Sequence, residues 1–483
     1  MSTARTVAKN TMSLFLAEVI SKAASIVYFA VLARYIQVEG VGQVSAGQAV
    51  VYSLIVLVSF GMDQLLVREM SADKSRVPSY VSTVVLLRLA LVVVFTGALL
   101  FLVHRLGYTR ELATITYLYA ANAVLRVFSD IALDVFRAHE QMEYNLVVRV
   151  TRDIANVVLS LVAILMGAGI VVIVAVSVAA SVLELVVAWA LLRRRYGLPR
   201  LQWRPELSRR LMVAALPFLL VTGIYPAVQQ QLNTIVLSAT ANSTDLGRFA
   251  AANTIVGLLL LVPSMFMQAM YPVFARFSAQ VSTAPEERLR LAYRKSFGYL
   301  FLFGVVVSVG TYMTADRIIP MVLGDSFAKA APAMHILAWI PMVSYVGYCN
   351  GSFLTAVGKE RLFMVTEGGF AVIYGLLALT LTPRYGYLGA SWAMLGPTIV
   401  GFGFYTVWCH RLLGLALPWR MAAASLVSVA AMALVVRWAL ASGVHVLAVA
   451  ILIAPPAYGL GLYVLRGITG EDVALLRHAL KLA

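Results

Sequence analysis

Fourteen apolar stretches of about 20 residues follow one another through nearly the whole chain, joined by short polar loops. A helix of about 20 residues crosses the ~30 Å hydrocarbon core of a bilayer. With 61% hydrophobic and 12% charged residues, the chain has the composition of a membrane protein. We therefore predict an all-α integral membrane protein. Its function must lie within the helical bundle, because little chain remains for a separate catalytic domain.

The predicted spans are continuous apart from several internal prolines. Membrane helices accommodate proline because neighbouring groups satisfy the freed carbonyls. We place the 14 transmembrane helices at roughly 12–33, 42–63, 79–103, 112–135, 146–167, 169–192, 211–238, 246–274, 293–315, 328–353, 361–382, 387–409, 419–440 and 445–466.

Lysine and arginine are unevenly distributed between the two sets of loops. Cytoplasmic loops of membrane proteins carry an excess of these residues. If the amino terminus is cytoplasmic, its side of the membrane holds most of the 38 basic residues, including the arginine-rich segment 193–210. We therefore expect both termini in the cytoplasm and a location in the plasma, or inner, membrane.

The net charge of +16 has the same explanation. Basic loops are attracted to anionic lipid headgroups, so membrane lipids are expected partners. Nucleic acid is not expected, because the basic residues are dispersed over many loops.

The two halves of the chain resemble each other weakly but in the same order. Segment 193–210 separates six spans from eight, and span 2 begins at Gly40–Gly42 as span 8 begins at Leu246–Arg248. Halves with an even number of spans enter the membrane in the same direction, so they form parallel repeats about an axis along the membrane normal. Such repeats are typical of alternating-access transporters, whereas chance similarity between apolar segments is the alternative interpretation.

This repeat predicts two six-helix lobes around a central cavity, plus two appended helices. The expected boundaries are an amino-terminal lobe, a basic cytoplasmic linker, a carboxy-terminal lobe, and helices 13 and 14 with the tail. These correspond to residues 1–192, 193–210, 211–412 and 413–483.

Ionisable residues within the spans are concentrated in the first half of the chain. Such residues are costly in a membrane and normally face the bundle interior or a water-filled cavity. Each internal arginine could be locked to an acidic residue that ties helices together. Alternatively, its guanidinium fork could bind an anion, for which bidentate arginine suits phosphate. The sequence leaves both interpretations open.

The candidate substrate-binding residues are the charged and polar side chains expected to face this cavity. They are Lys22, Arg88, Arg126, Asp130, Arg149, Arg152, Tyr225, Gln230 and Asn233. Glu18 is the candidate ion-coupling residue for protons or sodium, because a carboxylate deep in a cavity can titrate near neutral pH.

Several other functions lack their sequence motifs. There is no GxxxxGK[ST] sequence for ATP hydrolysis, and the filter signature of potassium channels is missing. The six histidines are scattered, and both cysteines, Cys349 and Cys409, lie in or near apolar spans. We therefore expect no metal site and no cofactor. No long outer loop exists to carry the acid and base of a membrane polymerase, so we expect a transporter rather than an enzyme.

Four short motifs occur in an order found in a known group of transporters. They are Lys9–Thr11, Arg34 with Val38–Gly42, Leu323–Phe327, and Ala356–Lys359. With the span count and the basic linker, this order resembles the polysaccharide flippases of the multidrug/oligosaccharidyl-lipid/polysaccharide (MOP) exporter superfamily. The chain departs from the usual pattern before span 2, where Ile36 and Gln37 replace Leu-Gly and Val41 replaces an aromatic residue.

The resemblance implies a flippase that moves a polyprenyl-diphosphate-linked oligosaccharide to the outer leaflet, driven by an ion gradient. It also implicates cationic residues of the first-half cavity, a role that Arg88, Arg126, Arg149 and Arg152 fit by depth and charge. Glycan polymerases and glycosyltransferases would be partners. An ion-coupled multidrug or cation exporter of the same architecture is the main alternative, and a membrane glycan polymerase or ligase is a third.

Overall fold

The computed structural model describes residues 3–197, 202–279, 287–416, 418–465 and 467; the side chains of residues 3–24, 26 and 220–222 are not among those described. Throughout these segments the regular structure is helical. Contacts divide the chain into two compact units, Met1–Gly247 and Arg248–Ala483.

The first unit contains nine helices and the beginning of a tenth. They are α1 (Thr3–Leu54), α2 (Val56–Ser59), α3 (Met62–Ala72), α4 (Val77–Arg105), α5 (Arg110–Ala138), α6 (Met142–Leu165), α7 (Ile170–Tyr196), α8 (Pro205–Phe218), α9 (Tyr225–Thr240) and the start of α10 (Ser243–Leu259). Helices α1, α5, α6 and α7 pack against one another, and α3, α4 and α8 share a second buried apolar cluster with α5. The four-helix group α1–α5–α6–α7 holds most of the internal charges, among them Arg126, Arg152 and Glu184.

The second unit contains the rest of α10 and eight further helices. They are α11 (Leu261–Ala279), α12 (Glu287–Leu323), α13 (Ala331–Leu337), α14 (Ile340–Ala356), α15 (Glu360–Leu412), α16 (Trp419–Ala441), α17 (Val446–Ala448) and α18 (Ala454–Val464). Its core joins α12, α14, α15 and α16. Within that core the Tyr293 hydroxyl donates to Asn350 Oδ1 at 2.8 Å, so these two buried polar groups satisfy each other.

The apolar helices confirm a multi-pass membrane protein. In the described segments, eight helical stretches are long and apolar enough to cross a bilayer, or nine if the bent pair Asp325–Leu337 and Ile340–Ala356 is one span. Four helices are not among these stretches. Helices α5 and α6 carry several charges, and α8 and α9 are too short, with 14 and 16 residues. The count of 14 spans and their arrangement as two six-helix lobes stay predictions.

Two of the loops expected between spans are single-residue breaks in longer helices. The first predicted span and the beginning of the second both fall within α1, which is interrupted at Gln37 with φ 61° and ψ −178°. The predicted spans 11 and 12 both fall within α15, which is interrupted at Gly386 with φ 56° and ψ −137°. A positive φ is uncommon for a residue other than glycine, so Gln37 marks a sharply defined bend.

Two glycines allow α1 to approach α10 closely. A Cβ atom at Gly42 would overlap the Ser243 carbonyl oxygen, and one at Gly247 would overlap the Val38 carbonyl oxygen. Gly42 therefore contacts Ser243, four residues before Gly247, and Gly247 contacts Val38, four residues before Gly42. This reciprocal contact is what a two-fold relation between the starts of predicted spans 2 and 8 would produce, and it excludes any larger side chain without movement of the backbone.

Candidate functional site

The first unit contains an open polar cavity of about 170 Å³ between α1, α5, α6 and α7. We call it the charged cavity, and its walls combine an arginine pair with tyrosine, amide and hydroxyl groups. It is lined by Ser25, Tyr28, Gln48, Tyr52, Tyr119, Asn122, Arg126, Arg152, Asp153, Asn156, Val157, Ser177, Ala180 and Ser181. A cavity of this size has room for a phosphate-sized group.

The wall between α5 and α7 is fixed by a buried amide. Asn122 Nδ2 donates to the Ser177 carbonyl at 2.8 Å and to Ser181 Oγ at 3.0 Å. Because Asn122 lies on α5 one turn before Arg126, this bond also fixes the height of Arg126 relative to α7. Farther along the same interface, Trp189 Nε1 donates to the Phe128 carbonyl at 3.1 Å. The cavity is therefore held open by a rigid polar scaffold.

Arg152 is engaged on two sides by acidic residues. Its Nε donates to Asp153 Oδ1 at 2.8 Å, and a second guanidinium nitrogen contacts the same oxygen. Its Nη1 lies 3.9 Å from Glu184 Oε2, and the Glu184 side chain is only 4% exposed. That Glu184 oxygen is buried and accepts no hydrogen bond from any described group. The pair with Asp153 is tight, whereas the pair with Glu184 is long and incompletely satisfied.

Arg149 and Asp130 form a looser pair between α6 and α5. Arg149 Nη2 lies 4.0 Å from Asp130 Oδ1, and the two side chains are 42% and 35% exposed. This length is the limit of an ion pair and beyond that of a hydrogen bond. Both groups could therefore exchange partners with a ligand at small cost.

Arg126 lines the charged cavity without a close partner. Its guanidinium makes no hydrogen bond or ion pair with any group that the structure describes, and the acids Asp130, Asp153 and Glu184 act on it only through space. Arg152 pairs tightly with Asp153 and loosely with Glu184. Asp130 forms a long pair with Arg149. A half-buried cation without a bonded partner is costly at membrane depth, so Arg126 is the group best placed to receive an anion.

Arg88 has a different environment. Its side chain is fully buried, Nη1 donates to the Val127 carbonyl at 2.5 Å, and Nη2 pairs with Asp63 Oδ1 at 2.5 Å. This is the locked ion pair that the sequence left open as the alternative to a ligand-binding arginine. It ties α4 to α3 and α5, and a contact between Arg88 and a substrate stays a prediction.

The polar residues predicted on span 7 lie on α9 and are not among the residues that line the charged cavity. Gln229 Nε2 donates to the Tyr225 hydroxyl at 2.6 Å, Gln230 is exposed and Asn233 is buried. The side chains of Lys22 and Glu18 are not among those that the structure describes. Their predicted roles in substrate binding and ion coupling therefore stay predictions.

Sequence reasoning missed the uncharged residues of the cavity wall. Tyr119, Asn122 and Arg126 are three and four residues apart on α5, so they share one helix face. Ser177 and Ser181 show the same spacing on α7. A search for polar residues at these spacings next to an internal arginine could have found them.

A family model described as "Polysaccharide biosynthesis protein" matches residues 7–278. That is more than half of the 483 residues and includes all four helices around the charged cavity. The chain belongs to this family. A curated relative, the teichuronic acid biosynthesis protein TuaB of Bacillus subtilis (strain 168), is 23% identical over 172 residues. The match spans 35% of either protein, about a third of the relative's length.

Solved structures of a lipid II flippase and of MOP superfamily transporters share the fold. The inward closed conformation of the lipid II flippase MurJ matches with a TM-score of 0.73 at 12% identity, covering 94% of this chain and 98% of that one. An inward-facing multidrug resistance transporter of the MATE family gives 0.60 at 15% identity, covering 82% and 96%. A Pyrococcus furiosus MOP transporter, reported to have a binding pocket of reverse polarity, gives 0.55 at 17% identity, covering 84% and 96%. The protein therefore has the fold of MOP superfamily transporters.

Proposed function

We propose that the protein is a flippase that moves a polyprenyl-diphosphate-linked oligosaccharide from the cytoplasmic to the outer leaflet by alternating access. Family membership supports a role in polysaccharide assembly. The fold that it shares with a lipid II flippase supports a lipid-linked substrate. The observation that carries the proposal is the charge of the cavity, where Arg126 is available for an anion.

Binding of the diphosphate would place a negative charge next to the arginines of the charged cavity. A phosphate oxygen at Arg126 would give the guanidinium the partner that it lacks. The long pairs of Arg149 with Asp130 and of Arg152 with Glu184, at 4.0 and 3.9 Å, leave donors that can turn towards a second phosphate. Charge-assisted bonds from arginine to phosphate are stronger than those between neutral groups.

We place the sugars outside the charged cavity, whose volume of about 170 Å³ matches a phosphate-sized group. A sugar buried in a dry site would leave hydroxyl groups unpaired, at several kcal/mol each. Polar side chains such as Gln230 and Tyr225 would meet this requirement if the substrate reaches α9. The proposed topology keeps both termini in the cytoplasm, with domain boundaries at 193–210 and after 412, and Glu18 as the coupling residue.

Exporters of organic cations are the alternative supported by the MATE-family likeness. A cation site requires acidic groups that are free to bind the ligand. In the charged cavity Asp153 is tightly paired with Arg152, and Arg126 is the charged lining residue without a bonded partner among the described groups. The charge arrangement therefore favours an anionic ligand. No described feature supports a glycan polymerase or ligase over either transporter.

Native mass spectrometry of the gently purified protein tests this proposal. We expect a polyprenyl-diphosphate-linked glycan to remain bound to the wild type and to be lost from Arg126→Gln. Arg110→Gln is the matched control, since Arg110 lies on the same helix, is exposed and is not among the cavity residues. Retention of the glycan lipid in Arg126→Gln, or stabilisation by organic cations with only bulk phospholipid bound, would contradict the proposal.

A further inference from the structure

A second pocket lies at the end of the first unit where α4 and α8 begin. It has a volume of about 510 Å³ and we call it the linker pocket. Its lining includes Arg76, Tyr80, Trp203, Arg204, Glu206 and Arg210. Three arginines and one glutamate give these six side chains a net charge of +2, and two of the arginines, Arg76 and Arg210, also contact the acids Asp73 and Glu69 beside the pocket.

The pocket is built by a fixed segment of chain. Gln202 donates its backbone N–H to Ser82 Oγ at 2.6 Å, and that hydroxyl donates to the Gln202 carbonyl at 3.1 Å. Ser82 is 1% exposed, so this exchange anchors residues 202–204 to α4 away from water. On the opposite wall, Glu69 accepts hydrogen bonds from Tyr80 at 3.2 Å and Arg210 at 3.4 Å. The arginines are therefore presented on a preformed frame.

Contacts with neighbouring side chains occupy only some of the N–H donors of Arg76 and Arg204. Arg76 Nε pairs with Asp73 at 2.9 Å, which leaves both terminal nitrogens of its guanidinium. Arg204 Nη2 donates to Gln202 Oε1 at 3.3 Å, which leaves its other nitrogens. Because each guanidinium carries five N–H donors in a planar fork, both can still bind a phosphate oxygen.

An adjoining groove of about 300 Å³ shares Arg204 with the linker pocket. Much of its lining is aliphatic, from Val77, Pro78, Val81 and Leu192. A basic pocket next to a largely apolar groove is complementary to an amphipathic anion rather than to a soluble one. The site also lies at the first turns of α4, which belongs to an apolar spanning segment, where a lipid headgroup would be found.

We propose that the linker pocket binds the phosphate of an anionic glycerophospholipid headgroup, with the upper part of an acyl chain in the adjoining groove. The indole of Trp203 is 54% exposed at the pocket wall, a position typical of aromatic residues at the membrane interface. The lipid would hold the segment that joins the halves of the chain against α4. This inference does not depend on the identity of the transported substrate.

The test compares lipids of equal acyl composition on the detergent-purified protein. Binding and the melting temperature are measured with phosphatidylglycerol, with phosphatidylcholine and with inorganic phosphate alone. We expect phosphatidylglycerol to bind more tightly than phosphatidylcholine and to raise the melting temperature more. Equal effects of the two lipids would overturn the proposal. A phosphate effect equal to that of phosphatidylglycerol would overturn the lipid assignment.

Arginine substitutions locate the effect. Arg204→Gln should weaken phosphatidylglycerol binding about fivefold, and adding Arg76→Gln should weaken it about 25-fold, since one basic residue near an anionic headgroup contributes about this factor. Arg209→Gln is the matched control, because Arg209 is exposed on α8 and does not line the pocket. All three arginines lie on the surface, so folding should be preserved. Equal losses in Arg204→Gln and Arg209→Gln would refute the site.

Discussion

The ion pair between Arg88 and Asp63 gives an asymmetric prediction for stability. The Arg88 side chain is fully buried, whereas that of Asp63 is 37% exposed. Removing the carboxylate with Asp63→Leu leaves an uncompensated buried guanidinium, which we expect to cost about 3–5 kcal/mol. Removing the guanidinium with Arg88→Met leaves a carboxylate that is only partly buried, so we expect a smaller loss of about 1–2 kcal/mol after allowance for screening.

The double variant Arg88→Met/Asp63→Leu replaces both charges by apolar groups. It should be more stable than Asp63→Leu alone, because exchanging a buried pair for apolar side chains is often neutral. Thermal unfolding of the four proteins in detergent, followed by tryptophan fluorescence, completes a double-mutant cycle. Additive effects of the two single substitutions, or wild-type stability of Asp63→Leu, would refute the locked pair.

The same double variant separates structure from binding. If Arg88 only braces α4 against α3 and α5, a stable double variant should still transport the glycan lipid. Loss of transport in a double variant with wild-type stability and expression would instead place Arg88 in the anion site.

Two further predictions concern packing in each unit. Gly42→Ala and Gly247→Ala should each destabilise the protein by about 1–3 kcal/mol through overpacking, since both Cβ atoms would overlap a backbone carbonyl, whereas Gly257→Ala on α10 meets nothing within 4 Å and should be neutral. Equal melting temperatures for the three variants would contradict the close contact. Tyr293→Phe should cost about 1–3 kcal/mol, because the buried Asn350 oxygen loses its donor at 2.8 Å. Glycan-lipid binding in the first unit should persist, as native mass spectrometry can check.

The apolar stretches were sufficient to predict a multi-pass helical membrane protein, but they did not show where one helix ends and the next begins. Predicted spans 1 and 2 are separated only by the bend at Gln37, and spans 11 and 12 only by Gly386. Hydropathy cannot distinguish a loop from one residue with positive φ, because both interrupt the apolar pattern in the same way.

The charged residues of the site were predictable, whereas most of their partners were not. Spacing along α5 and α6 predicted that Arg126, Asp130 and Arg149 would share an interior face. The long pair of Arg152 with Glu184 joins α6 to α7, and such contacts depend on helix packing that periodicity does not encode. Tyr119 is one of the cavity residues, although an aromatic residue in a span is typical of the membrane interface or of helix packing.

The most direct test of the account is a leaflet-specific transport assay in proteoliposomes. The lipid-linked glycan is placed in one leaflet, an ion gradient is imposed, and its appearance in the other leaflet is followed with an impermeant glycosidase. We predict translocation by the wild type and by Arg110→Gln, and its loss in Arg126→Gln at equal reconstitution. Undiminished translocation by Arg126→Gln, or none by the wild type under any gradient, would contradict the central claim.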